Sequence, residues 1–230
     1  MEITVSHLTR MQPGYICVAG LDRLTAQHVR PVINRRLPAT LLRTRGGPFA
    51  VGGVNDLGAV RAVGSAPEME DRLFDPSALR YLGRLSAADF WRTLLGAAAP
   101  DLATVFGTHL EPQGNGAAVE VGKGAASLGC ILINRAVLEV DPWDKIRITF
   151  QSGNLHVELS VTDVRFVLDD FKTPNQPVIA NAIQRFRSGV PAMLCVGLAR
   201  AWRKPGDDLQ RHWLQVNNIH FADDPLGGSL

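Results

Sequence analysis

Short apolar runs separated by turn residues dominate the first part of the chain. Residues 15–21 form a nearly continuous apolar run of strand length, and residues 28–32 form a shorter one. Pro31 lacks a backbone N–H, so it requires an edge position or the end of the strand pairing. Residues 49–63 alternate around several glycines, which is typical of bent or bulged strands that close a small barrel. The pattern predicts an N-terminal β-barrel over residues 1–64.

Helical patterns replace this alternation in the middle of the chain. Asp75, followed by a proline, predicts the start of one short helix. Ser86 as N-cap, with Asp89 three residues later, predicts a second helix that ends before Pro100. We therefore expect residues 65–112 to form a helical linker or insert.

The remainder of the chain returns to short β segments. Apolar runs at 192–202 and 212–221 predict two closing strands, and a helical face bounded by Pro177 and Gly189 predicts a helix at about 175–188. Residues 113–230 are thus expected to form a second barrel that carries one helix. The predicted fold class is mainly β with an α insert (α+β), as two small β-barrels joined by a helical connecting segment.

Composition and charge narrow the class of protein. The 230 residues are 46% hydrophobic and 20% charged, which is ordinary globular composition and excludes a disordered or collagen-like chain. The net charge is only +2. Residues 1–61 nevertheless hold eight basic and three acidic side chains, residues 62–112 hold four and seven, and residues 113–230 hold twelve of each. A site for a polyanion should therefore be a local patch.

The cysteines and the apolar runs indicate a cytoplasmic location. Cys17, Cys130 and Cys195 are too few and too scattered for a disulfide framework, and each lies in an apolar predicted strand, where a thiol usually packs as a small hydrophobe. The first ten residues lack the apolar run of a secretory signal, and no stretch approaches the roughly 18 apolar residues that span a bilayer. We expect no membrane partner.

Motifs for catalysis, cofactors or metals are incomplete. His109 and Glu111 match half of a zinc-deaminase motif, but its Cys-x-x-Cys pair is missing. His212 and His220 lie on one predicted strand about 26 Å apart, at about 3.3 Å per residue, so they cannot share a metal. A metal site would have to be assembled by tertiary contact. We expect a non-enzymatic protein without a cofactor.

Basic residues near aromatic ones are the strongest remaining signal, because such pairs bind phosphates and stack bases. The alternative interpretation is that Trp202 and Trp213 are core or rim aromatics and that the arginines solvate the surface. The nucleic-acid-binding candidates are Tyr15, His28, Arg30, Arg35, Arg36, Arg43 and Arg45 in the first half, and Arg200, Trp202, Arg203 and Lys204 in the second.

Several segments carry a family resemblance. Tyr15-Ile-Cys-Val-Ala-Gly-Leu-Asp22, followed by His28-Val-Arg-Pro-Val32, resembles the opening strands of the dual OB-containing domain family of prokaryotic proteins. Leu159-Ser-Val-Thr-Asp163 and the closing pair Met193-Leu-Cys-Val-Gly-Leu198 and His212-Trp-Leu-Gln-Val216 fall where that family has its late segments. The match spans most of the chain.

The resemblance implies two OB-like barrels and a nucleic-acid-binding or sensing role, often beside prokaryotic defence genes, with no catalytic residues to carry over. Arg30 is the family-motif residue that it puts forward for binding, although a structural pairing with Asp22 or a carbonyl suits it equally. The chain departs from the family at its Arg/Gly-rich residues 35–47 and around Trp91.

Three hypotheses follow. The first is a module that binds single-stranded or structured nucleic acid, with DNA, RNA and a small nucleotide all left open. The second is an adaptor that docks on a protein effector, such as a nuclease or ATPase, through Phe90 and Trp91. The third is an enzyme whose site would be assembled from His28, Cys17 or His109.

Overall fold

The computed structural model describes residues 1–204 and 206–228, which form a mainly β structure with curled sheets. The helices are α1 (Ala87–Ala97), α2 (Leu102–Phe106) and α3 (Gln176–Arg187). The strands are β1 (Glu2–Arg10), β2 (Tyr15–Asp22), β3 (His28–Val32), β4 (Leu37–Pro38), β5 (Gly53–Asp56), β6 (Val60–Ala62), β7 (Asp71–Phe74), β8 (Arg80–Arg84), β9 (Ala98–Ala99), β10 (Glu111–Gln113), β11 (Gly116–Glu120), β12 (Leu128–Ile133), β13 (Val137–Val140), β14 (Ile146–Ser152), β15 (Leu155–Ser160), β16 (Ala192–Leu198) and β17 (Arg211–Phe221).

The first sheet has the order β6-β7-β3-β2-β1-β5-β8, and β4 pairs with β2 at its side. Strand β1 pairs with β2 and β5, and its residues Ile3 and Val5 are fully buried. The register shifts between Val5 and His7 and again between Val54 and Asn55. Such irregularities bend and twist a sheet, so the apolar faces curl around one core.

Strand β3 changes partner along its length. His28 and Val29 pair antiparallel with β2, whereas Arg30 to Val32 pair parallel with β7. The pairing with β2 therefore ends just before Pro31, as the missing N–H predicts. The strand is not at the sheet edge, because β7 covers its other side.

The second half of the chain forms a six-stranded sheet of order β10-β11-β17-β16-β12-β9 and a three-stranded sheet of order β13-β14-β15. Strands β16 and β17 run antiparallel at the centre of the six-stranded sheet. Helix α3 covers the core, and its Phe186 ring lies 4.9 Å from the ring of Phe221 on β17. The helix predicted at 175–188 is confirmed.

Two helix starts predicted in the middle segment have different outcomes. Ser86 caps α1 as predicted, because its side chain accepts a hydrogen bond from the Asp89 N–H. The helix predicted from Asp75 is wrong. Asp75 caps only a single 3₁₀ turn, Pro76–Ala78, and the chain then continues as β8, which pairs with β5. Tertiary pairing with β5 thus overrides the local helix signal.

The middle segment, predicted as a helical insert over 65–112, is divided between the sheets. Strands β7 and β8 belong to the first sheet, whereas β9 pairs in parallel with β12 of the six-stranded sheet. The predicted boundary after residue 64 therefore coincides with no sheet boundary. One core cluster also crosses the two halves, since Cys130, Met193 and Cys195 pack with residues of β1 and β2.

Candidate nucleic-acid interface

A polar groove in the second half of the chain brings two tryptophans and two cations together. It has a volume of about 550 Å³ and lies between the β14-β15 hairpin and the neighbouring strands β11 and β17. Its lining includes Trp202, Trp213, Lys204 and Arg147. We call it the tryptophan groove.

Backbone pairing fixes the tryptophans in this groove. Trp202 and Arg211 form an antiparallel bridge that extends the β16-β17 hairpin. The Ala199 N–H donates to the Trp213 carbonyl at 2.9 Å, and the Trp213 indole N–H donates to the Trp202 carbonyl at 3.3 Å. The ring centroids are 6.2 Å apart, with a tilt of 50° between the planes. Trp202 remains 44% exposed, so part of its ring is available to a ligand.

Each of the two cations of the groove is held by a contact with a neighbouring side chain. The Lys204 Nζ lies 3.3 Å from the centroid of the Trp213 ring, a cation–π contact. Arg147 Nε donates to the Asp141 carboxylate at 3.2 Å, and Nη1 donates to the Ser160 hydroxyl. Burial and the neighbouring charge of Arg147 lower the pKa of the Lys204 ammonium. An anion placed between the two cations would relieve their repulsion.

A second basic surface lies where arginines of the first half of the chain meet residues of the second half. The Arg43 guanidinium lies over the Tyr81 ring at 4.4 Å, and the Arg45 guanidinium lies over Phe171 at 4.9 Å. Arg45 also donates to the Asp169 carbonyl at 2.9 Å. Arg43 lines a cleft of about 450 Å³, which Arg84 also lines. We call it the arginine cleft.

Tyr15, Arg35 and Arg36 lie apart from both surfaces. Tyr15 is half-buried, and the exposed Arg36 guanidinium lies 5.9 Å from its ring centroid. Arg35 is exposed beside a shallow cavity that Phe74 and Pro76 also line. These residues line neither the tryptophan groove nor the arginine cleft.

Arg30 and Arg200 share one charge network with two carboxylates. Arg30 is 4% exposed; its Nε donates to Asp71, and its Nη2 lies 3.8 Å from Glu68. Arg200 reaches the same two carboxylates, each at 2.7 Å. This geometry favours the structural interpretation of Arg30, with Asp71 as its partner. The Asp22 carboxylate instead accepts from the N–H groups of Leu24 and Thr25.

The two remaining candidates lie in different environments. Arg203 is exposed, directly before Lys204. His28 is directed inward, with its Nε2 3.5 Å from the Cys130 Sγ. The expected turn after Lys204 includes Pro205, which lies outside the described residues.

Sequence reasoning missed several groove residues, although β17 carries a signal for some of them. Trp213 and Gln215 are half-buried, whereas His212, Leu214 and Val216 between and beyond them are buried. This alternation places Trp213 and Gln215 on one face. Arg147 has no comparable signal, because its hairpin reaches the groove only through tertiary packing.

Comparisons with solved structures give low similarity. The chain is similar to the crystal structure of a p204 HINb domain, with 11% identity over 96% of this chain and 94% of that chain and a TM-score of 0.36. It is also similar to a murine DNA-binding protein bound to double-stranded DNA, with 7% identity over 96% of each chain and a TM-score of 0.33. Similarities this low carry no argument about this chain.

Comparison with families gives a clear result. No curated protein matches the chain. The sequence model of the dual OB-containing domain matches residues 1–219, which is nearly the whole chain and extends into the last strand, β17. The chain therefore belongs to the dual OB-containing domain family.

Proposed function

We propose that this protein is a non-enzymatic module that binds single-stranded nucleic acid in the tryptophan groove. The observation that carries the proposal is the placement of Trp202 and Trp213 beside Lys204 and Arg147 in one groove. Single strands offer an unpaired base face and a phosphate at each nucleotide, so rings and cations side by side bind them without reading sequence. Membership of a dual OB-containing family agrees with this function, because OB folds commonly bind oligonucleotides.

The geometry assigns base stacking and phosphate binding to different side chains of the groove. Lys204 already covers one face of Trp213, whereas Trp202 keeps 44% of its surface exposed. A base would therefore stack on Trp202, with the adjacent phosphate between Lys204 and Arg147. Stacking contributes about 1–3 kcal/mol per base. Neutralising this one phosphate gives a slope of about −0.7 for log K against log salt concentration on a single strand.

The proposal includes the wider context expected from the sequence. We take the protein as two OB-like barrels with a helical connecting segment, located in the cytoplasm and acting as a component of a prokaryotic defence system. Its three cysteines are free, which agrees with a reducing compartment. Within the described residues, no helix is long and apolar enough to cross a membrane.

The adaptor hypothesis loses one of its two candidate residues. Phe90 is fully buried, and its ring lies 5.2 Å from that of His220. Trp91 is half-buried and packs against the core cluster of the first half. These side chains contribute to the core, and no observation favours a docking surface at α1.

Fluorescence anisotropy with labelled single-stranded DNA, single-stranded RNA and duplex DNA at two salt concentrations tests the proposal. We expect salt-sensitive binding of the single strands at micromolar protein. Trp202→Ala should weaken it about 5- to 150-fold, the equivalent of 1–3 kcal/mol. Lys204→Glu should weaken it and flatten the salt dependence.

Two control variants separate the groove from general surface effects. Trp143 is 76% exposed and Lys123 is exposed, and neither lines the groove. Trp143→Ala and Lys123→Glu should leave binding unchanged. The affinity of Arg43→Glu shows whether the bound nucleic-acid strand continues into the arginine cleft. The proposal is wrong if no salt-sensitive binding occurs, or if the controls weaken binding as much as the groove variants do.

A further inference from the structure

A buried cluster of two histidines and two cysteines lies where the two halves of the chain meet. His7 is on β1, His28 on β3, Cys130 on β12 and Cys195 on β16. One ring nitrogen of each histidine and the Cys130 Sγ all lie within 4.8 Å of one another. The Cys195 Sγ is 3.3 Å from the Cys130 Sγ, because the two residues are direct partners across β12 and β16. Four elements that are distant in sequence thus converge on one point.

The spacing of these atoms is close to that of a tetrahedral metal site. With Zn–S bonds of about 2.3 Å and Zn–N bonds of about 2.0–2.1 Å, neighbouring ligand atoms lie about 3.3–3.8 Å apart. The His28–Cys130 distance of 3.5 Å matches a sulfur–nitrogen pair in this range, whereas the Cys130–Cys195 distance of 3.3 Å would open to about 3.8 Å between two zinc-bound sulfurs. The ligand atoms of His7, His28 and Cys130 all lie within 4.8 Å of one another and would close by at most about 1–1.5 Å, and the Cys195 Sγ would move from its place beside Cys130 towards the two imidazoles.

His7 provides an independent indication of a missing ligand. His7 is 1% exposed, and its Nε2 has no hydrogen-bond partner among the described residues. A buried polar atom without a partner is costly, so such atoms are rare in native proteins. The other ring nitrogen, Nδ1, lies 3.2 Å from the Asn217 side-chain amide. For Nε2 to bind a metal, Nδ1 must carry the proton, which requires the Asn217 amide to turn its oxygen towards Nδ1. The Gln215 amide, whose nitrogen donates to that oxygen at 3.0 Å, would turn with it.

We propose that His7, His28, Cys130 and Cys195 bind one Zn²⁺ ion in a tetrahedral Cys2His2 site that joins the first sheet to the six-stranded sheet. Two thiolates and two imidazoles are the donor set that favours zinc over hard cations such as Mg²⁺ or Ca²⁺. All four positions are occupied by protein ligands, so the site is structural. His7 also lines a cavity of about 260 Å³ beside Cys17 and Asn217, which provides a route for the ion.

Cobalt substitution tests this proposal on the full-length chain. The protein is stripped with a chelator under reducing conditions and titrated with Co²⁺. We expect saturation at one ion per chain, with the strong visible bands of tetrahedral cobalt and a near-ultraviolet thiolate-to-cobalt charge-transfer band. Zn²⁺ should then abolish these bands and raise the Tm of the stripped protein.

Variants assign the ligands. Cys130→Ser and His7→Gln should abolish the cobalt bands, and Cys195→Ser should remove part of the charge-transfer intensity. Cys17→Ser is the matched control, because this third cysteine lies outside the cluster, and it should bind cobalt normally. Circular dichroism identifies any variant that fails to fold, in which case the wild-type titration decides. The proposal is overturned if folded wild-type protein binds no stoichiometric cobalt, or if Cys17→Ser loses the bands while Cys130→Ser keeps them.

Discussion

Replacing Arg30 with methionine tests whether this arginine stabilises the fold or binds nucleic acid. Its side chain is 5% exposed, and its guanidinium contacts the carboxylates of Asp71 and Glu68. Both carboxylates also accept from Arg200 at 2.7 Å. Methionine removes the charge and keeps most of the apolar stem, so the variant isolates the ionic contribution.

The expected loss follows from the burial of the network. Removing one partner of a buried ion pair costs about 3–5 kcal/mol, because the other charge stays buried without compensation. Arg200 remains and compensates in part, although its side chain is 52% exposed. We therefore expect Arg30→Met to lower the free energy of unfolding by about 2–4 kcal/mol.

Urea unfolding followed by circular dichroism measures this change. Arg92 provides the control, because it pairs with Asp89 at side-chain exposures of 75% and 52%. Arg92→Met should cost at most about 1 kcal/mol. Adding Asp71→Leu to Arg30→Met should recover part of the loss, since Glu68 and Arg200 then remain as a balanced pair. The reasoning fails if Arg30→Met costs no more than Arg92→Met, or if it lowers nucleic-acid affinity at unchanged stability.

Two further predictions concern pH and packing. Burial lowers the pKa of His220 from 6.5 to about 4, so the unfolded chain takes up its proton first as the pH falls. The contribution of His220 to stability should be complete above pH 6.5 and fall by about 3 kcal/mol towards pH 4, and His220→Gln should remove this part of the pH dependence in urea titrations. At Gly20 a Cβ would lie 2.3 Å from the Thr4 carbonyl oxygen, so Gly20→Ala should lower Tm, whereas Gly96→Ala, in open space on α1, should raise it. Equal effects of the two alanines would contradict this packing argument.

The outcome of each sequence-based prediction depends on how local its cause is. Ser86 and Asp89 predicted the start of α1 correctly, because the capping hydrogen bond joins residues three apart. Asp75 forms the same kind of cap but begins no helix, because the following residues pair with β5. The pairing energy of a distant strand is not visible in a local window.

The candidate site shows the same limit. The sequence proposes Trp202 and Lys204 as binding candidates because aromatic and basic residues are close together there. Arg147 completes the groove from another sheet, and no pattern near it indicates this. Arg30 and Arg200 were candidates for binding nucleic acid, with a structural pairing left open for Arg30. Both contact Glu68 and Asp71, which belong to the segment predicted as an insert.

The sequence by itself determined the β-rich class, the helix at α3 and the family motifs, because alternation, caps and short motifs act between near neighbours. Only the tertiary structure decided which charges remain free and which side chains meet. His7 and Cys130 are far apart in the chain, and Cys130 alone looked like a small hydrophobe in a strand. Curling of the first sheet and its packing against β12 and β16 bring them together, because each apolar sheet face must be covered.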